Sequence, residues 1–326
     1  MSFYLITGAS GFVGQETVRQ VLAAGDSVVA IGRRRPPGNV EFIHADLRDK
    51  DLAEKLNGRT FDYILHIAAL PGDSGNPYEM LEVNANGTLA VLEYGRSLGG
   101  SLRQVVVASS ISAYEWYPAT KFSAPDYLPV DEEHPCRPRD MYSTTKRIQE
   151  LLAITYFEQY HVPAACLRLT AIIGPDGQGG GRGWRDIASQ MKNGETIRIP
   201  HFSETELCHY VDIRDVARMM ICAAQNPNAS GQIFNCCGPR AITGAEFAAI
   251  IEKHYPGAKV EFNFPWSMAQ GGRISFSMDK AKKLLDFEPK YSVEDSVISI
   301  KHWIDGGGLG TGEERRDSYT NGVRKE

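Results

Sequence analysis

The stretch Phe3-Tyr4-Leu5-Ile6-Thr7-Gly8-Ala9-Ser10-Gly11-Phe12-Val13-Gly14 decides the fold of this chain. An apolar run of strand type stops at Thr7-Gly8, and three glycines follow at intervals of three. A helical pattern then begins through Glu16, Thr17, Val18, Val21 and Leu22. Glycine at the first position lets a strand turn sharply into a helix. At the second it lets backbone approach a pyrophosphate, which the positive end of the helix dipole stabilises; at the third it lets helix and strand pack closely. The placement between strand and helix makes the triplet a dinucleotide-binding turn rather than an ordinary tight one. Gly8, Gly11, Phe12, Val13 and Gly14 are its expected cofactor contacts.

Composition sets the bounds. The chain has 326 residues, 42% of them hydrophobic and 23% charged, as ordinary globular proteins do. A formal net charge of −5 leaves no basic footprint for nucleic acid or an acidic membrane. No window reaches the apolar length of a membrane span, and the chain enters a strand with no signal peptide before it, so a cytoplasmic protein is expected. Six cysteines (Cys136, Cys166, Cys208, Cys222, Cys236, Cys237) show neither CxxC spacing nor histidine partners. Reduced thiols are expected, and no metal site.

Strand and helix patterns alternate outward from the opening turn. Val28–Ile31, Phe42–His44, Tyr63–Ala68, Gln104–Ala108 and Ala164–Leu169 read as strands two to six; Gln15–Ala24, Asp51–Leu56, Pro77–Leu98 and Met141–Tyr160 read as helices between them. Such alternation predicts an α/β fold, a Rossmann-type doubly wound parallel sheet with ligands beyond the carboxyl ends of its strands. Residues 1–174 form the expected dinucleotide-binding domain. Residues 175–305 are read as a smaller C-terminal substrate-binding lobe, with a segment at about 210–237 returning to the main sheet, and 306–326 as an exposed tail.

After strand two an NAD enzyme carries an acidic residue for the ribose hydroxyls, whereas basic side chains receive the 2′-phosphate of NADP. Here the chain reads Ile31-Gly32-Arg33-Arg34-Arg35. Planar guanidinium forks suit a phosphate, so Arg33 and Arg34 favour NADP, with NAD as the alternative. Asp46 and Leu47, just after strand three, are placed to contact the adenine edge.

The chemistry is read from Asp140-Met141-Tyr142-Ser143-Thr144-Thr145-Lys146. Four residues apart on a helix, Tyr142 and Lys146 face the same way. A phenol is a poor base near neutrality unless a cation favours its phenolate, and Lys146 supplies that cation and can hold a ribose hydroxyl. The strand before the helix ends in Val105-Val106-Val107-Ala108-Ser109-Ser110. Ser110 would hydrogen-bond the substrate oxygen that exchanges its proton with Tyr142; Ser109 and Ser112 read as structural turn hydroxyls.

Together these motifs resemble the extended short-chain dehydrogenase/reductase family, the NAD(P)-dependent sugar epimerase/dehydratase group, over residues 3–303. The resemblance rests on Thr7-Gly8-x-x-Gly11-x-x-Gly14, His66-Ile67-Ala68-Ala69, Asn84-x-x-Gly87-Thr88, the Tyr142/Lys146 pair, Tyr210-Val211-Asp212-x-x-Asp215-Val216-Ala217, and the closing Lys280-Ala281 and Pro289. It implies hydride transfer at a carbinol or carbonyl carbon, with Ala68 beside the cofactor and Asn84 supporting its nicotinamide end. It also implies a homodimer through the helices of Asn84 and Tyr142, where Ile148, Leu151, Leu152 and Tyr156 offer an apolar surface. The Asp-Glu pair that family dehydratases carry after the catalytic hydroxyl is replaced by Ile111 and Ser112, which argues against a 4,6-dehydratase. Positions that commonly serve a sugar nucleotide's diphosphate carry Ala171 and Cys208. The expected substrate is therefore a small molecule, a sugar or related polyol or carbonyl compound. The alternatives are an NADP-dependent reductase of a non-nucleotide ketone or aldehyde, and a non-catalytic regulator that senses the dinucleotide. Candidate substrate contacts are Pro71, Trp116, Tyr117, Arg182, Arg185 and Arg273.

Overall fold

The computed structural model describes residues 1–49, 52–56, 58–72, 76–114, 125–175, 182–200, 204–264 and 274–308; at 182–186, 198–200 and 263–264 it describes the backbone alone. Trp116, Tyr117 and Arg273, and the side chains of Arg182 and Arg185, lie outside the described residues.

Seven parallel strands form the central sheet: β1 (Phe3–Thr7), β2 (Ser27–Gly32), β3 (Glu41–His44), β4 (Tyr63–His66), β5 (Gln104–Ser110), β6 (Ala164–Leu169) and, after four short strands outside this sheet, β11 (Gln232–Cys236). Their spatial order is β11-β6-β5-β4-β1-β2-β3. The order reverses between β1 and β4, which opens the ligand crevice of a doubly wound sheet at the carboxyl ends of those strands.

Alternate side chains on each strand feed opposite faces. Tyr4, Ile6, Leu65, Val106 and Leu167 pack with α1 (Phe12–Ala23) and α7 (Ile213–Gln225), the latter contributing Val216, Met219 and Met220. Leu5, Ile64, Val105, Val107 and Cys166 pack with α4 (Gly87–Leu98) and α5 (Met141–Tyr160) through Val91, Leu92, Ala153 and Tyr156. Both faces are covered, so the central strands read as nearly continuous apolar runs.

A third cluster is built by β7 (Ala171–Ile173), α6 (Arg182–Asn193), β8 (Ile197–Pro200), α8 (Gly244–His254) and α10 (Val293–Asp305), centred on Ile173, Ile197, Phe247, Val297 and Ile300. β8 pairs with β13 (Val260–Phe264), and β9 (Leu207–Cys208) with β12 (Ile242–Thr243). Of the 210–237 segment, β11 joins the main sheet beside β6, whereas β10 (Tyr210–Asp212) pairs with β7 outside it.

Strand four is shorter than its apolar run predicts. After His66 the backbone N–H groups of Ile67 and Ala68 both donate to Thr7 Oγ1, at 3.1 Å each, which takes them from the ladder. The helix expected over 77–98 is interrupted by a wide turn at Leu81–Asn86, between α3 (Pro77–Met80) and α4, where the hydrogen bonds skip to i+5. Tyr156 does not join an outward apolar face: it is 5% exposed, and its hydroxyl donates to Glu93 Oε1. Leu151 is the exposed member of that set, at 51%.

Candidate active site

The opening turn has the geometry its glycines require. Gly8 has φ +70°, and a Cβ there would lie 2.6 Å from Ala68 N. At Gly14 it would lie 2.1 Å from Gly8 O, and at Gly11 3.2 Å from the same oxygen. Helix α1 has no side-chain cap at Gly11, so the amides of its first turn, from half-buried Phe12 and Val13 onward, remain for an anion.

A chain of buried hydrogen bonds runs from this turn to α5. Thr7 Oγ1 already accepts two backbone N–H groups, so its own proton goes to His66 Nδ1, 2.8 Å away. His66 Nε2 is then the protonated nitrogen and donates to Thr88 Oγ1 at 2.9 Å. Thr88 accepts also from Gln149 Nε2 (2.6 Å) and donates to Asn84 O (2.6 Å). Burial, and then the nearby Lys146 charge, pull the His66 pKa down to about 3, so the ring is neutral. Asn84 sits in the wide turn and is fully buried. Its side chain accepts from Leu70 N (2.7 Å) and donates to Leu70 O (3.2 Å) and Thr145 Oγ1 (3.0 Å). The wide turn aims one amide at both the loop after β4 and the helix of Tyr142.

The His66 assignment has a pH consequence. Folded His66 titrates at about 3 against an ordinary value of 6.5, so between those values the unfolded chain binds the extra proton. Its contribution to stability is complete above the ordinary value and is lost as pH falls, by up to about 1.4 kcal/mol per unit. His66→Gln keeps a donor toward Thr88 but cannot be protonated. Urea unfolding from pH 7 to pH 5 should therefore destabilise the wild type by about 2 kcal/mol more than the variant. Parallel curves would contradict the neutral assignment.

The structure brings Ser110, Tyr142 and Lys146 together at the carboxyl ends of β5 and β6. Asp140, two residues before Tyr142, caps α5 by accepting from Ser143 N at 2.8 Å, which starts the helix at Met141. Ser110 ends β5, accepts from Ser112 N at 3.2 Å and is hydrogen-bonded to the Tyr142 phenol. Burial pushes Tyr142 up to about 12, and the Ser110 bond works against that rise. Lys146 is 3% exposed, and its ammonium donates to Ala108 O at 2.7 Å and lies 5.7 Å from the Tyr142 ring centroid. Burial lowers it to about 8.

At the other end of the crevice, β2 delivers Arg33, Arg34 and Arg35 to the surface. Arg35 donates to Val40 O (3.0 Å) and stacks over Phe42. Arg33 and Arg34 have no hydrogen bond among the described residues; Arg33 acts on Asp46 electrostatically. The Asp46 carboxylate is held by Arg48 Nε (3.0 Å) and Nη2 (2.6 Å), which keeps it below the usual carboxylate range. Leu47 is buried beneath Gly87, and Pro71 and Ala68 are half-buried near the switch point. Arg182 and Arg185 lie on α6, in the backbone of the third cluster's layer. Ala171 is on β7; Cys208 is buried on β9 with its thiol bonded to the Tyr210 hydroxyl.

Sequence reasoning missed Glu150 and Arg168. Arg168 is 1% exposed within β6 and makes a two-pronged pair with fully buried Glu150 on α5. A charged residue inside an apolar strand was the available signal. Among the described residues no group of three or more His, Cys, Asp or Glu could hold a metal ion, and no helix is long and apolar enough to cross a membrane.

A doubly wound sheet, a glycine turn at its switch point and a Ser-Tyr-Lys set at the same carboxyl edge of the sheet define a nicotinamide-dinucleotide enzyme of the short-chain dehydrogenase/reductase class. Residues 4–237 match the NAD dependent epimerase/dehydratase family, and the chain belongs to it. Among curated relatives, the putative UDP-glucose 4-epimerase of Methanocaldococcus jannaschii is 27% identical over 92% of this chain and 97% of its own length. The UDP-glucuronate 4-epimerase of Thermodesulfobacterium geofontis is 25% identical over 93% and 96%. Among solved structures, an epimerase from Methanothermobacter thermautotrophicus superposes with TM-score 0.81 at 23% identity, covering 94% of this chain and 93% of that one. The UDP-glucuronic acid 4-epimerase of Bacillus cereus, in complex with UDP-glucuronic acid and NAD, gives 0.77 at 22% identity, covering 93% and 99%.

Proposed function

We propose that this chain epimerises a nucleotide-linked sugar by hydride transfer at one carbinol carbon, with Tyr142 as acid/base, Lys146 as the cation that tunes it and Ser110 as the orienting hydroxyl. The observation that carries the reading is the convergence of these three side chains at the carboxyl end of β5, the same edge of the parallel sheet at which β1 enters the glycine turn. The printed activities of the M. jannaschii and T. geofontis relatives support the substrate class.

The residues present fit a dinucleotide. Gly8 and Gly14 leave no room for a side chain, the first turn of α1 offers free amides, and Lys146 has one acceptor among the described residues, which leaves donors for ribose hydroxyls. When bound, the nicotinamide supplies the site that accepts a hydride and returns it. Ser110 hydrogen-bonds the substrate oxygen and places it within reach of Tyr142. Tyr142 takes the hydroxyl proton as the carbonyl forms and gives it back as the carbinol is restored, which avoids a bare alkoxide. The Lys146 ammonium lowers the energy of the phenolate that exists in between.

A second reading, an NADP-dependent reductase of a non-nucleotide ketone or aldehyde, is favoured by the arginines after β2 and by Ala171 and Cys208 at the two positions expected to serve a diphosphate. The discriminating experiment mixes purified protein with UDP-glucose, UDP-galactose, UDP-glucuronate and a panel of small ketones in the presence of added NADH or NADPH, following both isomer composition and reduced-nicotinamide absorbance. Isomerisation without net absorbance change supports the epimerase. Net oxidation that tracks turnover supports the reductase.

NADP is the cofactor this reading assigns, with Arg33 and Arg34 on its 2′-phosphate. Arg33→Ala and Arg34→Ala should each raise the Kd for NADPH about tenfold while leaving NADH nearly unchanged, because each removes charge-assisted bonds to one phosphate. Fluorescence titration with both reduced cofactors checks it; equal losses for the two would assign NAD instead. The activity is placed in the cytoplasm, a reducing compartment in keeping with six free thiols. A homodimer through the faces of α4 and α5 that expose Leu89 and Leu151 completes the reading, and sedimentation as a monomer would remove it.

A further inference from the structure

We propose that Glu150 is the positioning residue of this site: from the helix of Tyr142 and Lys146 it grips Ser109, and so fixes the reach between the Ser110 hydroxyl and the Tyr142 phenol. The proposal rests on the functional reading above for its meaning in catalysis, but not for its geometry.

The Glu150 carboxylate is fully buried and every donor around it is accounted for. Oε1 accepts from Ser109 Oγ and from Arg168 Nε, both at 2.8 Å. Oε2 accepts from Arg168 Nη2 at 2.9 Å and Arg147 Nη1 at 2.8 Å. Ser109 and Arg168 are register partners on the parallel strands β5 and β6, so one carboxylate clasps two adjacent strands. Arg168 is itself immobilised, with its guanidinium 4.3 Å from the Tyr114 ring centroid and Nη1 donating to Glu132 O at 3.3 Å.

Stability does not explain this arrangement. A buried ion pair is commonly matched or bettered by apolar side chains of the same volume. What the carboxylate adds is direction. Glu150 lies four residues beyond Lys146 and eight beyond Tyr142, on one side of α5. Ser109 and Ser110 are joined by a planar peptide, so a shift of one carries the other. The loop from Glu150 through α5 to Tyr142, across to Ser110 and back through Ser109 is closed by two hydrogen bonds. Without the Ser109 link, the strand end that carries Ser110 is tied to α5 by the Lys146 bond to Ala108 O.

Ser109→Ala removes that link and leaves the Glu150–Arg168 pair intact, which avoids the unpaired buried charge that Glu150→Gln would create. The readout is the Cζ resonance of Tyr142 in protein labelled with carbon-13 tyrosine, compared among wild type, Ser109→Ala, Ser109→Thr and Ser110→Ala at neutral pH. In Ser109→Ala the resonance should move at least halfway to its position in Ser110→Ala, while Ser109→Thr, which restores the hydroxyl, stays with the wild type. A resonance unmoved in Ser109→Ala overturns the proposal. So does an equal movement in Ser109→Thr, which would mark a disturbed strand rather than a lost bond. With UDP-glucose as probe, Ser109→Ala should lower kcat about tenfold with KM within about twofold. A kcat equal to wild type overturns the catalytic meaning. Absence of any wild-type turnover would count against the functional reading alone and leave the resonance test to decide the geometry.

Discussion

Tyr142→Phe should lower turnover by about a thousandfold or more, while the Kd for the reduced dinucleotide stays within about twofold of wild type. Phenylalanine keeps the ring that packs beside Lys146 and removes only the hydroxyl that Ser110 holds. Steady-state kinetics and a fluorescence titration of the same preparation check both halves. Turnover retained would place the acid/base elsewhere.

The size of that effect follows from the electrostatics of the pair. With Tyr142 at about 12, the free protein holds a phenol at every working pH, poised to donate. Removing a proton from the substrate requires the phenolate, and the charge that supports it is the ammonium of Lys146, which burial brings to about 8. The sign follows from the proton count: below about 8 the resting pair is phenol and ammonium, and forming the phenolate releases a proton, so oxidation of substrate should rise with pH and level off above about 8, where the resting pair has already lost that proton. General acid–base assistance of this kind is worth about two to four orders of magnitude.

Periodicity made most of the scaffold legible. Apolar strands of four to seven residues, separated by helical patterns, foretold the parallel sheet because both of its faces are covered. The Tyr142/Lys146 spacing was readable because a helix places residues four apart on one face. The remainder depends on partners distant in sequence. Strand four ends at His66 because the hydroxyl of Thr7, about sixty residues earlier, takes the next two amides. The wide turn at Leu81–Asn86 is held by bonds from Asn84 to Leu70 and Thr145, which no local propensity encodes. Tyr156 lies on a helix whose apolar residues are spread around it, so pattern alone could not say which face meets the sheet. Arg168 announced itself as a charge in an apolar strand, but its partner, Glu150, could be named only once α5 was laid across β5 and β6.

Gly11→Ala and Gly14→Ala should each raise the dinucleotide Kd about a hundredfold, but for different reasons that a stability measurement separates. At Gly14 a methyl group would lie 2.1 Å from Gly8 O and 2.7 Å from Ala9 Cα, both backbone atoms that cannot turn aside. Alanine's better helix propensity, worth about 1 kcal/mol, is outweighed by the overlap. The first turn of α1 must move off β1, and the bond from Gly11 N to Gly8 O, 2.9 Å in the native turn, opens. A net loss of about 2 kcal/mol in urea unfolding is expected, with the affinity loss following from a displaced helix terminus. At Gly11 the nearest atom is 3.2 Å away and φ is −84°, so alanine fits the protein with a small adjustment. Its stability should change by less than about 1 kcal/mol. The methyl group there would instead stand between the turn and a pyrophosphate bound on it, so affinity should fall while the fold is kept. If Gly11→Ala destabilised the chain as much as Gly14→Ala and still bound dinucleotide, the pyrophosphate would have to lie off this turn, and the opening glycines would be a packing device alone.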